Sequence, residues 1–310
     1  MGTPDFAVPA LRALIPHHEV VGVITAPDRP AGRGKQLRKS AVKIAAEAAG
    51  CPVLQPTNLK DAEFQASLSG LRADLFVVVA FRMLPEAVWS LPPEGTINLH
   101  ASLLPAYRGA APINRAIMNG EKTTGLSTFF IEKDIDTGAV IDQVTVDIGP
   151  EENAGSLHDR MAGAGAELLL RTVNAISRGT AVSVPQKASG ALPVAPKIFK
   201  EDCRTDWRRP AESVHNHIRG LSPYPTAFTT FRNAEGDPVN LKIYAASLTD
   251  IPASGTPGRI VADETTLEVE TADVRIRITE LQAPGKKRMA TADFLRGNTF
   301  PEGAVFESEP

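Results

Sequence analysis

The chain has 310 residues, 43% of them hydrophobic and 22% charged, a balance that excludes a disordered or low-complexity protein and leaves room for two domains with separate cores. A formal net charge of −3 excludes indiscriminate nucleic-acid binding and leaves only local basic patches open. No apolar run reaches membrane-spanning length, no secretory signal opens the chain, and Cys51 and Cys203 stand far apart with no ligand-spaced neighbours. The expectation is therefore a cytoplasmic protein without disulfide, metal site or membrane contact.

Gly2-Thr3-Pro4-Asp5-Phe6 reads as the turn and helix start that follow a strand, with Thr3 as N-cap and Pro4 at the first helical position. No strand precedes it. The first strand of a doubly wound sheet is central, so an unfilled position in the sheet is expected, with the true start upstream. A β-branched strand is expected over 20–25, a helix over 41–49, a buried strand over 75–80, a short helix over 85–91, a strand over 96–100 and a helix over 111–119. This alternation predicts a Rossmann-like, doubly wound, mostly parallel sheet covered on both faces. Residues 127–131 and 140–148 then flank a turn at 134–138 as an antiparallel hairpin, and an amphipathic helix over 156–175 closes a first domain, 1–183. Pro185, Gly190, Pro193 and Pro196 break all periodicity in a linker, 184–204. A helix over 210–219 and short strands over 227–232, 239–246, 258–261, 266–270 and 274–280 predict a small OB-like β-barrel domain over 205–310.

Chemistry concentrates at two places. In the strand Ile97-Asn98-Leu99-His100, polar and apolar residues alternate, so Asn98 and His100 share one face while Ile97 and Leu99 enter packing. An amide donor beside an imidazole, just before a loop, can grip a carbonyl oxygen that becomes negatively charged. Asp136, in Ile135-Asp136-Thr137-Gly138, is the acid that can set the charge of that imidazole or accept a proton. Singly, each of these residues reads as a satisfied strand residue or an ordinary turn. Together they read as a catalytic centre.

A second feature is basic. Arg29, Arg33, Lys35, Arg38, Lys39 and Lys43 follow one another against the single acid Asp28, with Gly32 and Gly34 loosening the segment. Such a loop suits a phosphate backbone. Lys197, Lys200, Arg204, Arg208 and Arg209, and further on Lys286, Lys287 and Arg288, add basic clusters in the linker and the second domain. The other histidines, His17, His18, His158, His215 and His217, have no ligand-spaced partners and read as structural or surface residues.

Several segments resemble the methionyl-tRNA formyltransferase family: the opening 2–6, the basic segment 27–35, His100-Ala101-Ser102-Leu103-Leu104-Pro105, Tyr107-Arg108-Gly109-Ala110-Ala111-Pro112-Ile113, Asp136-Thr137-Gly138, Leu221-Ser222-Pro223-Tyr224-Pro225 and Pro284-Gly285-Lys286-Lys287. They run in order over nearly the whole chain. Three departures stand out: no first strand before Gly2, a short Ala80-Phe81-Arg82-Met83-Leu84-Pro85, and Ala139 after Gly138. The resemblance implies transfer of a formyl group from 10-formyltetrahydrofolate to the α-amine of methionyl-initiator tRNA by a monomer that needs no metal. It implies catalysis by Asn98, His100 and Asp136, and a folate site lined by Ser102, Leu103, Leu104 and Pro105. It also implies tRNA contacts from Arg33, foremost, with Lys35, Arg38, Lys39, Lys197, Lys200, Lys286, Lys287 and Arg288. Two other readings share the centre or the fold. One is a formyltransferase acting on a nucleotide amino-sugar, or a formyltetrahydrofolate hydrolase, against which the basic clusters speak. The other is a non-catalytic RNA-binding protein, which has no use for Asn98, His100 and Asp136.

Overall fold

The computed structural model describes residues 1–31, 36–187 and 190–308. The chain divides into two compact units, one of Met1–Gly109, Thr123–Asp147 and His158–Val194, the other of Ala110–Lys122, Ile148–Leu157 and Ala195–Pro310. Among the described residues no helix is long and apolar enough to cross a membrane.

In the first unit Phe76–Val79 pairs in parallel with Thr96–His100, which pairs antiparallel with Thr123–Phe130 and, through it, with Val140–Asp147. Val23–Ile24 and Val53–Leu54 form a second, parallel pair. Between the two sheets lie only the first residues. The Gly2 N–H donates to the Ile24 carbonyl (3.0 Å) and the Val79 N–H to that of Met1 (2.9 Å), and Gly2 bridges Val79 in parallel. The adjoining space is a cavity of about 360 Å³ walled by Val20, Val21, Leu75 and Val77 and backed by Leu14, Leu68, Leu71 and Leu169. The strand expected over 20–25 is limited to Val23–Ile24.

Side-chain caps start two of the helices. Ser40 Oγ accepts the Lys43 N–H (3.0 Å) at the start of Ala41–Ala48, and Asp61 Oδ1 accepts the Phe64 N–H (3.0 Å) at the start of Ala62–Gly70. The second of these helices went unforeseen because its apolar face is thin: only Phe64 and Leu68 are buried. Thr3 does not cap. The 3₁₀ turn Asp5–Ala7 is entered from Pro4, and the Phe6 N–H that a cap would take already donates to Asp5 Oδ1 (3.1 Å). Ile24, Phe64, Leu68, Phe76, Val78, Leu84 and Val88 form a core cluster against one face of the strands. The long helix Ala154–Ser177 covers the other with Met161, Leu168, Leu169 and Val173. Each such side chain contributes about 1.5–3 kcal/mol when fully buried.

The second unit has its own core. Ala227–Arg232, Pro238–Pro252, Val274–Gln282, Leu267–Glu270 and Ile260–Ala262 form an antiparallel sheet in that order, with Met289–Ala290 added on Val274–Gln282. The expected OB-like barrel is present as a curled half-barrel. Register shifts between Pro238–Pro252 and Val274–Gln282 supply bends of the kind that curl a sheet. Trp207 stacks on Phe306 at 5.5 Å beside Phe231, Ile276, Ile278 and Leu281, and the helix Ala211–Leu221 packs its apolar face into the same core.

Candidate active site

The strand Thr96–His100 sets the site. Ile97 and Leu99 are buried, and Leu99 meets the long helix at Gly165, where a Cβ would come within 2.8 Å of Leu99 Cδ2. The helix can approach this closely only because that position is glycine. With the odd residues fixed inward, the two-residue repeat turns Asn98 and His100 to the opposite face.

Both nitrogens of His100, which is 7% exposed, face protein oxygens. Nε2 lies 2.9 Å from the Tyr107 carbonyl. A carbonyl only accepts, so Nε2 carries a proton and donates it, leaving Nδ1 as the nitrogen that gains or loses one. Nδ1 stands 3.7 Å from Asp136 Oδ2, within ion-pair range and beyond a good hydrogen bond.

Asp136 reaches this place by a fold-back. The Ile131 N–H donates to the Thr96 carbonyl (2.7 Å), so the hairpin loop leaves at the far end of the strand, about 13 Å from His100 at a rise of about 3.3 Å per residue. The loop must return along the strand to bring its acid to the imidazole. Two backbone features allow it. Asp136 itself adopts φ +55°, the left-handed region that Asp tolerates better than most residues. At Gly138 a Cβ would fall 1.7 Å from the Phe130 carbonyl oxygen, which no side chain survives. Asp136 Oδ2 also accepts the Gly109 N–H (2.9 Å).

Asn98 is half-buried, and its Oδ1 is shut off from solvent without a hydrogen bond among the described residues. Such an unpaired amide atom costs about 1–3 kcal/mol.

The loop after His100 is built tightly. Ser102 Oγ donates to the Ala106 carbonyl (2.6 Å), and Ser127 Oγ bridges the Ser102 carbonyl (2.6 Å) and the Leu104 N–H (3.0 Å). Gln143 Nε2 donates to the Leu104 carbonyl (3.0 Å) and to Ser127 Oγ (2.8 Å). Of the expected folate-lining residues, Ser102 and Leu104 are thus buried and committed within the loop, while Leu103 and Pro105 keep accessible surface.

The basic residues are dispersed. Arg33 and Lys35 lie outside the described residues. Arg38 is exposed, and Lys39 is exposed but paired with Glu47 at 2.7 Å, a contact that raises its pKa. Lys43 is committed to structure, donating to Asp28 Oδ2 (2.7 Å) and Gln55 Oε1 (2.6 Å). In the second unit Lys197, exposed, sits 5.4 Å over the Phe199 ring, and Lys200, Lys286 and Lys287 are exposed. Arg288 lies 4.7 Å over the Tyr244 ring and pairs with Glu280.

Sequence reasoning missed Ser127 and Gln143, whose only signal is a polar residue within a predicted strand. It also missed Gln186, which sits in the linker. Gln186 Nε2 donates to the carbonyls of Asp136 (2.9 Å) and Gly138 (2.8 Å), and Oε1 accepts from Arg108 Nε (3.1 Å) and Nη2 (2.6 Å).

A polar strand face, a folded-back acid and a buried amide atom in want of a partner describe a group-transfer centre. Residues 2–173 match the family model described as formyl transferase, and residues 197–299 that described as formyl transferase, C-terminal domain. The chain belongs to the formyl transferase family. It is 50% identical over 302 residues to a methionyl-tRNA formyltransferase of Bacteroides fragilis, covering 96% of this chain and 93% of that one. It is likewise 50% identical over 304 residues to a methionyl-tRNA formyltransferase of Porphyromonas gingivalis, covering 96% and 94%. Among solved structures, the fold is shared with an N-formyltransferase of Helicobacter canadensis in complex with folinic acid and dTDP-3-aminofucose, at a TM-score of 0.67 and 19% identity over 91% of this chain and 97% of that one.

Proposed function

We propose that this chain transfers the formyl group of 10-formyltetrahydrofolate to the α-amine of methionine esterified to initiator tRNA, acting as a monomer. The observation that supports this reading is the approach of Asp136 to His100, two residues along one strand face from Asn98, in a chain half identical over nearly its whole length to methionyl-tRNA formyltransferases. The catalytic work falls to residues 1–183, the linker is 184–204, and 205–310 grip the tRNA.

The folate supplies the electrophilic formyl carbon. The unpaired, buried end of the Asn98 amide fits a polar group that arrives with substrate, and Leu103 and Pro105 offer the accessible part of an apolar wall. The Asn98 amide donates a hydrogen bond to the oxygen on which charge develops as the amine attacks. A single donor of this kind contributes about 10²–10³ in rate. Asp136 takes the proton that the amine must lose; collapse of the tetrahedral intermediate then breaks the bond between the formyl carbon and N10, and tetrahydrofolate leaves with a proton on that nitrogen. His100, held at Nε2 by the Tyr107 carbonyl, presents Nδ1 to Asp136 and so orients it. Arg33, Lys35, Arg38, Lys39, Lys197, Lys200, Lys286, Lys287 and Arg288 bind tRNA phosphates, and those whose charge is already paired contribute less.

The test is a transfer assay with purified protein and labelled 10-formyltetrahydrofolate, offering charged initiator tRNA, a nucleotide-linked amino sugar, or water as acceptor. Label is expected on methionyl-tRNA, with the KM for tRNA rising steeply with salt. Transfer to the sugar amine, or release of formate, with none to methionyl-tRNA would remove this reading.

A further inference from the structure

We propose that Gln186 is a positioning residue for the Asp136 carboxylate, a strap that holds the folded-back loop over His100. The proposal rests on the functional reading above for its activity measurement and on geometry alone for the rest.

The loop that carries Asp136 leaves the sheet beside Thr96 and returns toward His100. A loop of this kind has a costly closed form, because its residues give up backbone freedom worth about 1–2 kcal/mol each and Asp136 takes a left-handed φ of +55°. Contacts from outside the loop must hold it there. Gln186 supplies two, its Nε2 donating to the Asp136 carbonyl (2.9 Å) and to the Gly138 carbonyl (2.8 Å).

The other end of the same side chain reaches the second half of the site. Gln186 Oε1 accepts from both Arg108 Nε (3.1 Å) and Arg108 Nη2 (2.6 Å). The neighbours of Arg108 carry the remaining contacts: the Tyr107 carbonyl accepts from His100 Nε2, and the Gly109 N–H donates to Asp136 Oδ2. One amide thereby ties the segment that holds His100 to the loop that holds its acid. Gln186 is itself anchored, because Val184, two residues earlier, exchanges both backbone hydrogen bonds with Val140 (2.9 and 2.8 Å). Both ends of the Gln186 amide are used, and only a side-chain amide combines a donor pair for two carbonyls with an acceptor for a guanidinium; Asn has the same group on a stem one methylene shorter.

The experiment compares wild type, Gln186→Ala and Gln186→Glu as full-length proteins. Two readouts are taken: formyl transfer to methionyl-tRNA across pH, and hydrogen exchange at the Gly109 amide without substrate. Gln186→Ala is expected to lower kcat by about 10–100-fold, with KM for both substrates within about threefold, since misplacement of a reacting group by about 1 Å costs on this order. The Gly109 amide should lose protection in the same protein. Gln186→Glu keeps the acceptor for Arg108 but sets a carboxylate against two carbonyls. Its activity relative to wild type should recover as pH falls and the new carboxyl gains a proton to donate. Unchanged kcat in Gln186→Ala, unchanged Gly109 exchange, or a Gln186→Glu ratio flat with pH would each overturn the proposal. Wild-type protein inactive on methionyl-tRNA strikes the functional reading instead, and the Gly109 exchange still decides whether the strap exists.

Discussion

Glu270, in the second unit, is fully buried, yet its carboxylate meets Arg275 at 3.1 Å, Arg259 at 3.2 Å and the Ser254 N–H at 3.0 Å. Asp136, in the first unit, takes the Gly109 N–H and stands 3.7 Å from a histidine that is itself tied to a carbonyl. Burial alone pushes the Glu270 carboxyl up, but the Ser254 N–H and the two arginines outweigh it and hold the group below its usual range. That carboxylate is locked as an anion, and its arrangement serves stability. Beside the Asp136 arrangement, Asn98 Oδ1 has no hydrogen bond among the described residues, so here the fold leaves hydrogen-bonding capacity unused. The same residue types therefore divide by how much of their hydrogen-bonding capacity the fold uses up.

The comparison breaks most sharply at the site. Asn98→Ala, His100→Ala and Asp136→Ala should each lower formyl transfer by about 10²–10³ or more while the unfolding midpoint in urea stays near that of wild type. A variant with near-normal turnover removes its residue from the mechanism.

Acid tests the second unit next. His217 has its Nε2 closed off without a hydrogen bond among the described residues, and burial lowers its pKa from 6.5 to about 4, aided by Arg209 and Arg115 and opposed by the Cys203 carbonyl and Asp202. His215 is lowered in the same direction by burial, with Glu151 opposing. A histidine whose folded pKa is depressed takes up its proton in the unfolded chain first. The second unit should therefore lose stability as pH falls from about 6.5 to about 4, by about 3 kcal/mol from His217. Urea titrations at several pH values should show this slope, and His217→Gln should flatten it. A slope unaltered in that variant assigns the effect elsewhere.

The smallest effect is expected at Glu270. Glu270→Gln should destabilise the second unit by about 1–2 kcal/mol, less than a fully buried pair because Arg259 and Arg275 retain access to water. Formyl transfer should keep its kcat. A large loss of kcat without a loss of stability would erase the distinction between the two carboxylates.

The strand Thr96–His100 was legible because alternation is a local property: each side chain's face follows from its number. The helix Ala41–Ala48 and the strand Ala227–Arg232 were legible from equally local properties, a run of small and apolar residues and a β-branched and aromatic run. The helix Ala62–Gly70 escaped because its apolar face is two residues wide. The commitment of Lys43 to Asp28 and Gln55 was equally hidden, since a basic run looks the same whether or not its members are paired. Thr3 was misread for a like reason, because a capping residue type does not reveal that the N–H it would take is already bonded to Asp5.

The sequence by itself determined the candidate chemistry: an amide and an imidazole on one strand face, an acid in a Gly-closed turn, and segments shared with a family of formyl transferases. It determined these because residue type and two-residue periodicity are written along the chain. Only the tertiary structure decided that Asp136 folds back to His100, that Tyr107 and Gly109 hold the pair, and that Gln186 straps the loop in place. Most of those contacts use a backbone carbonyl or N–H as one partner, a group that nearly every residue carries and that residue type therefore does not mark.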